Sequence, residues 1–135
     1  MLYQVSATNT EGIEGLVSLS SGKVVATSHP LGENAGFNPE ELLALSWATC
    51  LNATIQALLE QEYKSIVRVE VGLEQEGNGD GYVFAVYAQA GIAKMEPSQA
   101  EALIAKAHQR CPVSKLIHQA KTVHLEVVEY ESLLD

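Results

Sequence analysis

The sequence has few of the residues and motifs that mark the common classes of active site. Only two of its 135 residues are cysteine, Cys50 and Cys111, and their separation excludes a CxxC metal or redox motif. The four histidines form no HxH or HxxxH pair, which argues against a zinc site. No GxSxG elbow and no P-loop sequence occur. We therefore expect no bound metal and no cofactor.

Basic residues are also scarce. Eight Lys and Arg stand against 17 Asp and Glu, a formal net charge of −9, which argues against nucleic acid or an anionic membrane surface as the partner. The most apolar segment, residues 42–59, is interrupted by polar side chains and predicts a buried helix, not a membrane span. The first residues show no signal-peptide pattern, so we expect a cytoplasmic protein. In that compartment two cysteines are more often free, metal-bound or catalytic than a structural disulfide.

The remaining composition is that of a folded protein. Hydrophobic residues make up 47% of the chain and charged residues 19%. A chain of this length buries roughly two-thirds of its unfolded surface on folding and needs no disulfide or metal for stability. We expect one domain over residues 1–135.

The longest predicted element is a helix over residues 38–62. Asn38 is a good N-cap, Pro39 suits the first helical position, and Glu41 completes a capping-box pattern. Apolar residues cover most of the helix circumference, which is typical of a central, largely buried helix. Cys50 lies near its middle.

The other elements follow from alternation and turn signals. Strands are predicted at residues 2–9, 16–20, 23–28, 66–76, 82–92 and 122–130, with hairpin turns at residues 21–22 and 77–81. A second helix begins near Glu96, is kinked or broken by Pro112, and restarts over residues 113–120. The acidic tail is expected to fray. The order βββ–α–ββ–α–β predicts an α+β fold, an antiparallel sheet with its helices on one side.

Each cysteine has a structural and a chemical interpretation. A lone helical cysteine such as Cys50 is most often a small buried hydrophobe. Catalysis would require a lowered pKa, which the middle of a helix does not supply. Cys111 precedes Pro112 at a predicted helix start, where backbone N–H groups favour a thiolate, and Arg110 and Lys115 add positive charge. Its structural alternative is a cap on a kinked helix.

Two separated segments resemble one family. The sequence NPEELLALSWATC is similar to the first-cysteine motif of the osmotically inducible protein C and organic hydroperoxide resistance (OsmC/Ohr) superfamily. RCPVSKL is similar to its second-cysteine motif, in the wording of the osmotically inducible branch, and the loop HPLGENAGF before the first motif also resembles the family. The order and length of the segments match over essentially the whole chain.

The resemblance implies a thiol-dependent peroxidase that works as an intertwined homodimer. By motif position Cys50 would attack an organic hydroperoxide, Cys111 would resolve the sulfenic acid to a disulfide, and a dithiol reductant would restore both thiols. Glu40 matches the family glutamate that orients a catalytic arginine. The chain departs from the family at that arginine, since Ile13 occupies its position in GIEG. Another cation, such as Lys23, Arg68 or Arg110, would have to replace it.

Two further expectations concern this site. Glu40 and Cys50 are ten residues apart in one predicted helix, about 15 Å along its axis, so a shared site needs Glu40 from a partner chain or a bent helix. Trp47, Leu51 and Leu43 would give Cys50 apolar surroundings that favour organic hydroperoxides. The alternative function is a non-catalytic relative that binds a small apolar ligand at the dimer interface, which Ile13 favours.

Overall fold

The computed structural model describes residues 1–60 and 62–135, and within them the predicted order of elements is confirmed. The strands are β1 (Ala7–Asn9), β2 (Gly15–Leu19), β3 (Val24–Thr27), β4 (Ser65–Gln75), β5 (Tyr82–Ile92) and β6 (Val123–Val127). The helices are α1 (Pro39–Leu58), α2 (Pro97–Arg110) and α3 (Pro112–Ile117), followed by a 3-10 helix at Tyr130–Leu133. The α+β fold class is therefore confirmed.

The strands form two three-stranded sheets, β1-β2-β3 and β4-β5-β6. Both predicted hairpins are confirmed, because β2 pairs antiparallel with β3 and β4 pairs antiparallel with β5. The prediction of antiparallel pairing is wrong for one neighbour, since β6 lies parallel to β5. The connection between these two strands contains α2 and α3, and a helical crossover of that kind returns the chain in its original direction.

Helix α1 begins as its sequence predicts and ends earlier. Asn38 Oδ1 accepts from the Glu41 N–H at 2.8 Å, and Glu41 Oε1 accepts from the Asn38 N–H at 3.0 Å, which is a complete capping box. The helix ends at Leu58, not at residue 62, and the Leu59 N–H bonds the Gln56 carbonyl in a tightened last turn. Gln61, within the predicted helix, lies outside the described residues.

The first strand is also shorter than predicted, starting at Ala7 instead of residue 2. Its partner β2 ends at Leu19, just before the Ser21–Gly22 turn, so residues before Ala7 have no strand residues left to pair with. Ser6 and Ser20 close the ladder with one bond in each direction, Ser20 N–H to Ser6 O and Ser6 N–H to Ser20 Oγ.

Both long helices pack on one face of the second sheet, as predicted for helices segregated on one side. The buried core joins residues of α1, β5 and α2 with the second cysteine: Trp47, Leu51, Ile55, Val86, Ala88, Ala90, Ile92, Ala100, Ile104, Ala107 and Cys111. On β5 the even-numbered residues face this core, which is the period of a strand with one face against helices.

The prediction that the acidic tail frays is wrong. Residues Tyr130–Leu133 form a 3-10 helix, and the Leu133 side chain is buried. Arg68 on β4 donates from Nη2 to the Leu133 carbonyl at 3.1 Å and pairs with the Asp135 carboxylate at 3.3 Å. The tail also packs on Gly91, where an added Cβ would lie 2.9 Å from the Tyr130 backbone. Local sequence offers no sign of these long-range contacts.

Residues 1–42 and 43–135 form two compact units, and the boundary falls inside α1. The first unit holds β1–β3 and the loop that follows, and the second holds the larger sheet, most of α1 and both later helices. A single domain over residues 1–135 stays a prediction. In the described part of the chain, none of the helices has the length and apolar character required to cross a bilayer.

Candidate two-thiol site

The structure brings the two cysteines into contact. The Cys50 and Cys111 sulfur atoms are 3.1 Å apart although 61 residues separate them in the sequence. Both are free thiols. Cys111 is fully buried, and Cys50 is partly exposed and packs against the edge of the same apolar core. Of the two cysteines, only Cys50 therefore has surface that a molecule arriving from solvent can contact.

Cys111 is positioned by the proline that breaks the second helix. Pro112 cannot continue α2, and Cys111 adopts an extended conformation that ends α2 and starts α3. Its N–H bonds the Ala107 carbonyl at 2.8 Å, and its sulfur accepts from the Ser114 N–H at 3.4 Å. The predicted helix break and restart are confirmed, but α3 spans Pro112–Ile117 and ends earlier than the predicted residue 120. Cys111 thus caps two helices while facing Cys50.

A buried hydrogen bond supports this junction from the side of α1. Trp47 Nε1–H donates to Ser114 Oγ at 2.8 Å, and both residues are fully buried. The sequence predicted Trp47 as apolar lining of the site and predicted no role for Ser114. The position of Ser114 could have indicated this role, because it lies three residues after the helix cap at Cys111. The backbone N–H at that position points back toward the cap residue. Trp47 and Leu51 are core residues, so the expected apolar lining is continuous with the core.

The surroundings of the two thiols push their acidities in opposite directions. Burial raises the pKa of Cys50; a backbone hydrogen bond from Val113 opposes this, and the neighbouring Cys111 raises it further. For Cys111 burial is again the largest influence and acts upward. The Ser114 hydroxyl and N–H, the Cys50 thiol and Val113 together outweigh it and lower the pKa of Cys111. The surroundings therefore favour a thiolate on Cys111 more than on Cys50.

The cation sought for Cys50 is not among the groups that act on it. Within the described residues, no lysine or arginine contributes to the pKa shift of either thiol. Arg68 bonds the C-terminal residues instead, and Arg110 and Lys115 are exposed. Hydrogen bonds to Cys111, not an ion pair with Cys50, are the electrostatic support of this site.

Glu40, the third predicted site residue, lies half-buried in the first turn of α1. Its neighbour Glu41 makes the capping-box bond, whereas Glu40 makes no hydrogen bond or ion pair among the described residues. The structure thus joins Cys50 to Cys111 and leaves the role of Glu40 a prediction. Over the same described ranges, no group of three or more His, Cys, Asp or Glu side chains could hold a metal ion.

His108 is a partly buried residue for which the sequence predicted no role in the site. Its ring centroid lies 6.3 Å from that of Trp47 and 6.2 Å from that of His118. In the part of the chain that the structure describes, its buried Nδ1 has no hydrogen-bond partner. Burial, and secondarily the charge of His118, lowers the pKa of His108 from its ordinary value of 6.5.

This histidine gives an acid-stability prediction. The pKa of His108 is lower in the folded protein than in the unfolded chain, so the unfolded chain binds a proton at a higher pH. The stability that the neutral His108 contributes is therefore present above about pH 6.5 and is lost as the pH falls below it. His108→Leu should flatten the fall of the melting temperature on that acid side. The exposed histidine variant His124→Gln is the matched control. An unchanged slope in His108→Leu would contradict the assignment.

Comparison with known proteins assigns the family. The OsmC-like protein family model matches residues 32–126, well over half of the chain and a range that includes both cysteines. The chain belongs to the OsmC-like family. The predicted family membership is therefore confirmed.

Individual OsmC-like relatives agree with this assignment. An organic hydroperoxide resistance protein of Xanthomonas axonopodis pv. citri is 32% identical, over 84% of this chain and 86% of its own. A crystal structure of a Lactobacillus casei protein superposes with a TM-score of 0.85 at 35% identity, covering 96% of this chain and 92% of the other. A crystal structure of the organic hydroperoxide resistance protein OsmC of Legionella pneumophila superposes with a TM-score of 0.81 at 29% identity, covering 94% of this chain and 96% of the other. This OsmC-like chain is therefore akin to peroxide-resistance redox proteins.

Proposed function

We propose that this OsmC-like chain reduces organic hydroperoxides with its two cysteines. The observation that carries the proposal is the 3.1 Å contact between two free thiols, one partly exposed and one buried. Relatives named for organic hydroperoxide resistance give the substrate class. The apolar core next to Cys50 favours organic over inorganic hydroperoxides.

The chemistry assigned to the pair is a dithiol-to-disulfide cycle. The Cys50 sulfur attacks the terminal oxygen of the hydroperoxide, the O–O bond breaks, and the alkoxide leaves and takes up a proton as the alcohol. Cys50 is then a sulfenic acid. Cys111 attacks that sulfur, a disulfide forms, and water leaves. A dithiol reductant returns both cysteines to thiols by exchange through a mixed disulfide. No cofactor is required for this sequence of steps.

Glu40 enters the proposal through a second copy of the chain. Helix rise separates it from Cys50 of its own chain by about 15 Å, so a role in the same site assigns it to the partner of a homodimer. A sedimentation or light-scattering measurement tests this part alone. A protein that stays strictly monomeric while reducing hydroperoxides would remove Glu40 from the site and leave the thiol chemistry intact.

Two observations favour the second candidate, an OsmC-like protein that binds a small apolar ligand without turnover. Ile13 stands where the family arginine is expected, and the pKa of Cys50 is raised by burial. A thiol with a raised pKa is less often the thiolate that attacks peroxide. The two candidates differ in one measurable property, the reactivity of Cys50.

Titration of the reduced protein with cumene hydroperoxide distinguishes them. Catalysis predicts that both thiols disappear at one equivalent of peroxide and return on addition of a dithiol. Cys50→Ser should keep its remaining thiol under the same conditions. Hydrogen peroxide in a parallel titration tests the preference for organic substrates. Thiols that survive a large excess of cumene hydroperoxide would support the binding function instead.

A further inference from the structure

At the two-thiol site the cysteine with the lowered pKa is not the cysteine that is exposed to solvent. Most of the hydrogen bonds that favour a thiolate are made to Cys111, which is fully buried, whereas Cys50 has only the one from Val113. The sulfur that a peroxide can reach is Cys50, which no described cation supports. A buried thiolate cannot meet a bulky hydroperoxide, and an accessible protonated thiol is a poor nucleophile. The 3.1 Å sulfur–sulfur contact joins the two properties.

We infer that Cys111 is the general base of the first step, accepting the Cys50 proton across the sulfur–sulfur contact as Cys50 attacks the hydroperoxide. This inference rests on the proposed function and gives Cys111 a task before the resolving step. A catalytic base must lie within hydrogen-bond reach of the proton that it takes, and sulfur partners meet that condition at the distance seen here.

The atoms balance over the step. The Cys50 proton passes to the Cys111 sulfur while the Cys50 electron pair forms the bond to the terminal peroxide oxygen. The O–O bond breaks, and the alkoxide is protonated by solvent. Cys111 is now a thiol beside a sulfenic acid. Its attack on the Cys50 sulfur forms the disulfide, and its proton leaves with the hydroxide as water.

Ser114 and Trp47 are the positioning residues for this base. The Ser114 N–H donates to the Cys111 sulfur at 3.4 Å, and Trp47 Nε1–H donates to the Ser114 hydroxyl oxygen at 2.8 Å. The Ser114 hydroxyl oxygen accepts from Trp47 with one lone pair, and its own proton is directed to Cys111.

Other titratable groups near this cluster do not replace the base. His108 on α2 lies beside Trp47, His118 after α3 lies beside His108, and Lys115 on α3 is exposed. None of the three is among the groups that change the pKa of Cys111, whereas Cys50 and Ser114 are. The pH dependence of the first step should therefore follow the cysteine pair and its serine.

The test separates the first step from the second. Sulfenate formation on Cys50 is followed by dimedone trapping and intact mass after rapid mixing with cumene hydroperoxide, over a range of pH. If Cys111 is the base, Cys111→Ser should form the sulfenate about 100-fold more slowly than wild type consumes its first equivalent at neutral pH. The deficit should shrink at high pH, where Cys50 ionises unaided. A purely resolving Cys111 predicts sulfenate formation at the wild-type rate, which would overturn the inference.

Ser114→Ala retains both thiols and tests whether Cys111 is the general base if Cys111→Ser does not fold. Loss of the hydroxyl should move the pH profile of the first step to higher pH, and Ser114→Thr should restore part of it. Ser65→Ala is the matched control, because its hydroxyl bonds Asn52 at 2.7 Å and acts on neither thiol. An unmoved profile in Ser114→Ala would overturn the inference. Wild-type protein that consumes no hydroperoxide would instead overturn the proposed function itself.

Discussion

Oxidation of the reduced protein is expected to link Cys50 to Cys111 within one chain and to raise the free energy of unfolding by about 4 kcal/mol. The sulfurs are already 3.1 Å apart, so bond formation at about 2 Å needs a shift of roughly one ångström. The link spans 61 residues, and a loop of that size removes much of the entropy of the unfolded chain. Urea denaturation of oxidised and reduced protein measures the difference.

The controls for this prediction use the same chain. Cys111→Ser cannot form the link, so peroxide should leave its denaturation midpoint unchanged. Mass spectrometry and non-reducing electrophoresis should show a single chain that has lost two hydrogens. Covalent dimers in place of that species would contradict the intrachain contact. Equal stability of the two wild-type forms would mean that native-state strain offsets the entropic gain.

Local features of the fold could be predicted because local interactions decide them. The capping box of Asn38 and Glu41 follows from residue types three positions apart, and the same bonds appear in the structure. Pro112 breaks a helix wherever it stands, because it lacks an N–H and clashes with the preceding turn. The break was therefore predictable, and with it the place of Cys111 at a helix junction.

The errors arise where partners distant in sequence decide the outcome. The direction of β6 depends on the crossover through α2 and α3, and the docking of the tail depends on Arg68 reaching the Leu133 carbonyl. The Trp47–Ser114 bond joins residues 67 positions apart, so no periodicity or motif could indicate it. The two cysteines were paired by resemblance to a family, whereas their 3.1 Å contact needed the fold.

The structural and chemical interpretations of Cys111 are not alternatives. Its role as a cap gives its sulfur the Ser114 N–H, and that same hydrogen bond favours the thiolate. A residue that holds a helix junction is also fixed in place, so its sulfur meets Cys50 without the entropic cost of ordering a mobile side chain. Stability and reactivity at this site should therefore change together when the hydrogen bonds around Cys111 are altered.

Trp47 is where the largest loss of stability is expected. Its side chain is fully buried in the core beside the cysteine pair. Trp47→Ala removes that volume, at a cost of about 3–5 kcal/mol, and it also leaves the buried Ser114 hydroxyl without its donor. The total is a large share of the 5–15 kcal/mol that ordinarily stabilises a protein, so we expect a partly unfolded protein at room temperature. Circular dichroism measures this without relying on tryptophan fluorescence.

Trp47→Phe separates the hydrogen bond from the packing. The phenyl ring keeps most of the apolar contact, but Ser114 Oγ loses the 2.8 Å bond, and an unsatisfied buried polar group costs about 1–3 kcal/mol. Ser114→Ala should therefore destabilise Trp47→Phe by less than it destabilises wild type, with a coupling of about 0.5–3 kcal/mol in a double-mutant cycle. Ile104→Val, a core change without a polar group, should add independently to Trp47→Phe. Additive effects of Trp47→Phe and Ser114→Ala would show that the hydrogen bond between the two side chains contributes nothing to stability. They would also contradict the role given to Trp47 in holding Ser114 beside Cys111.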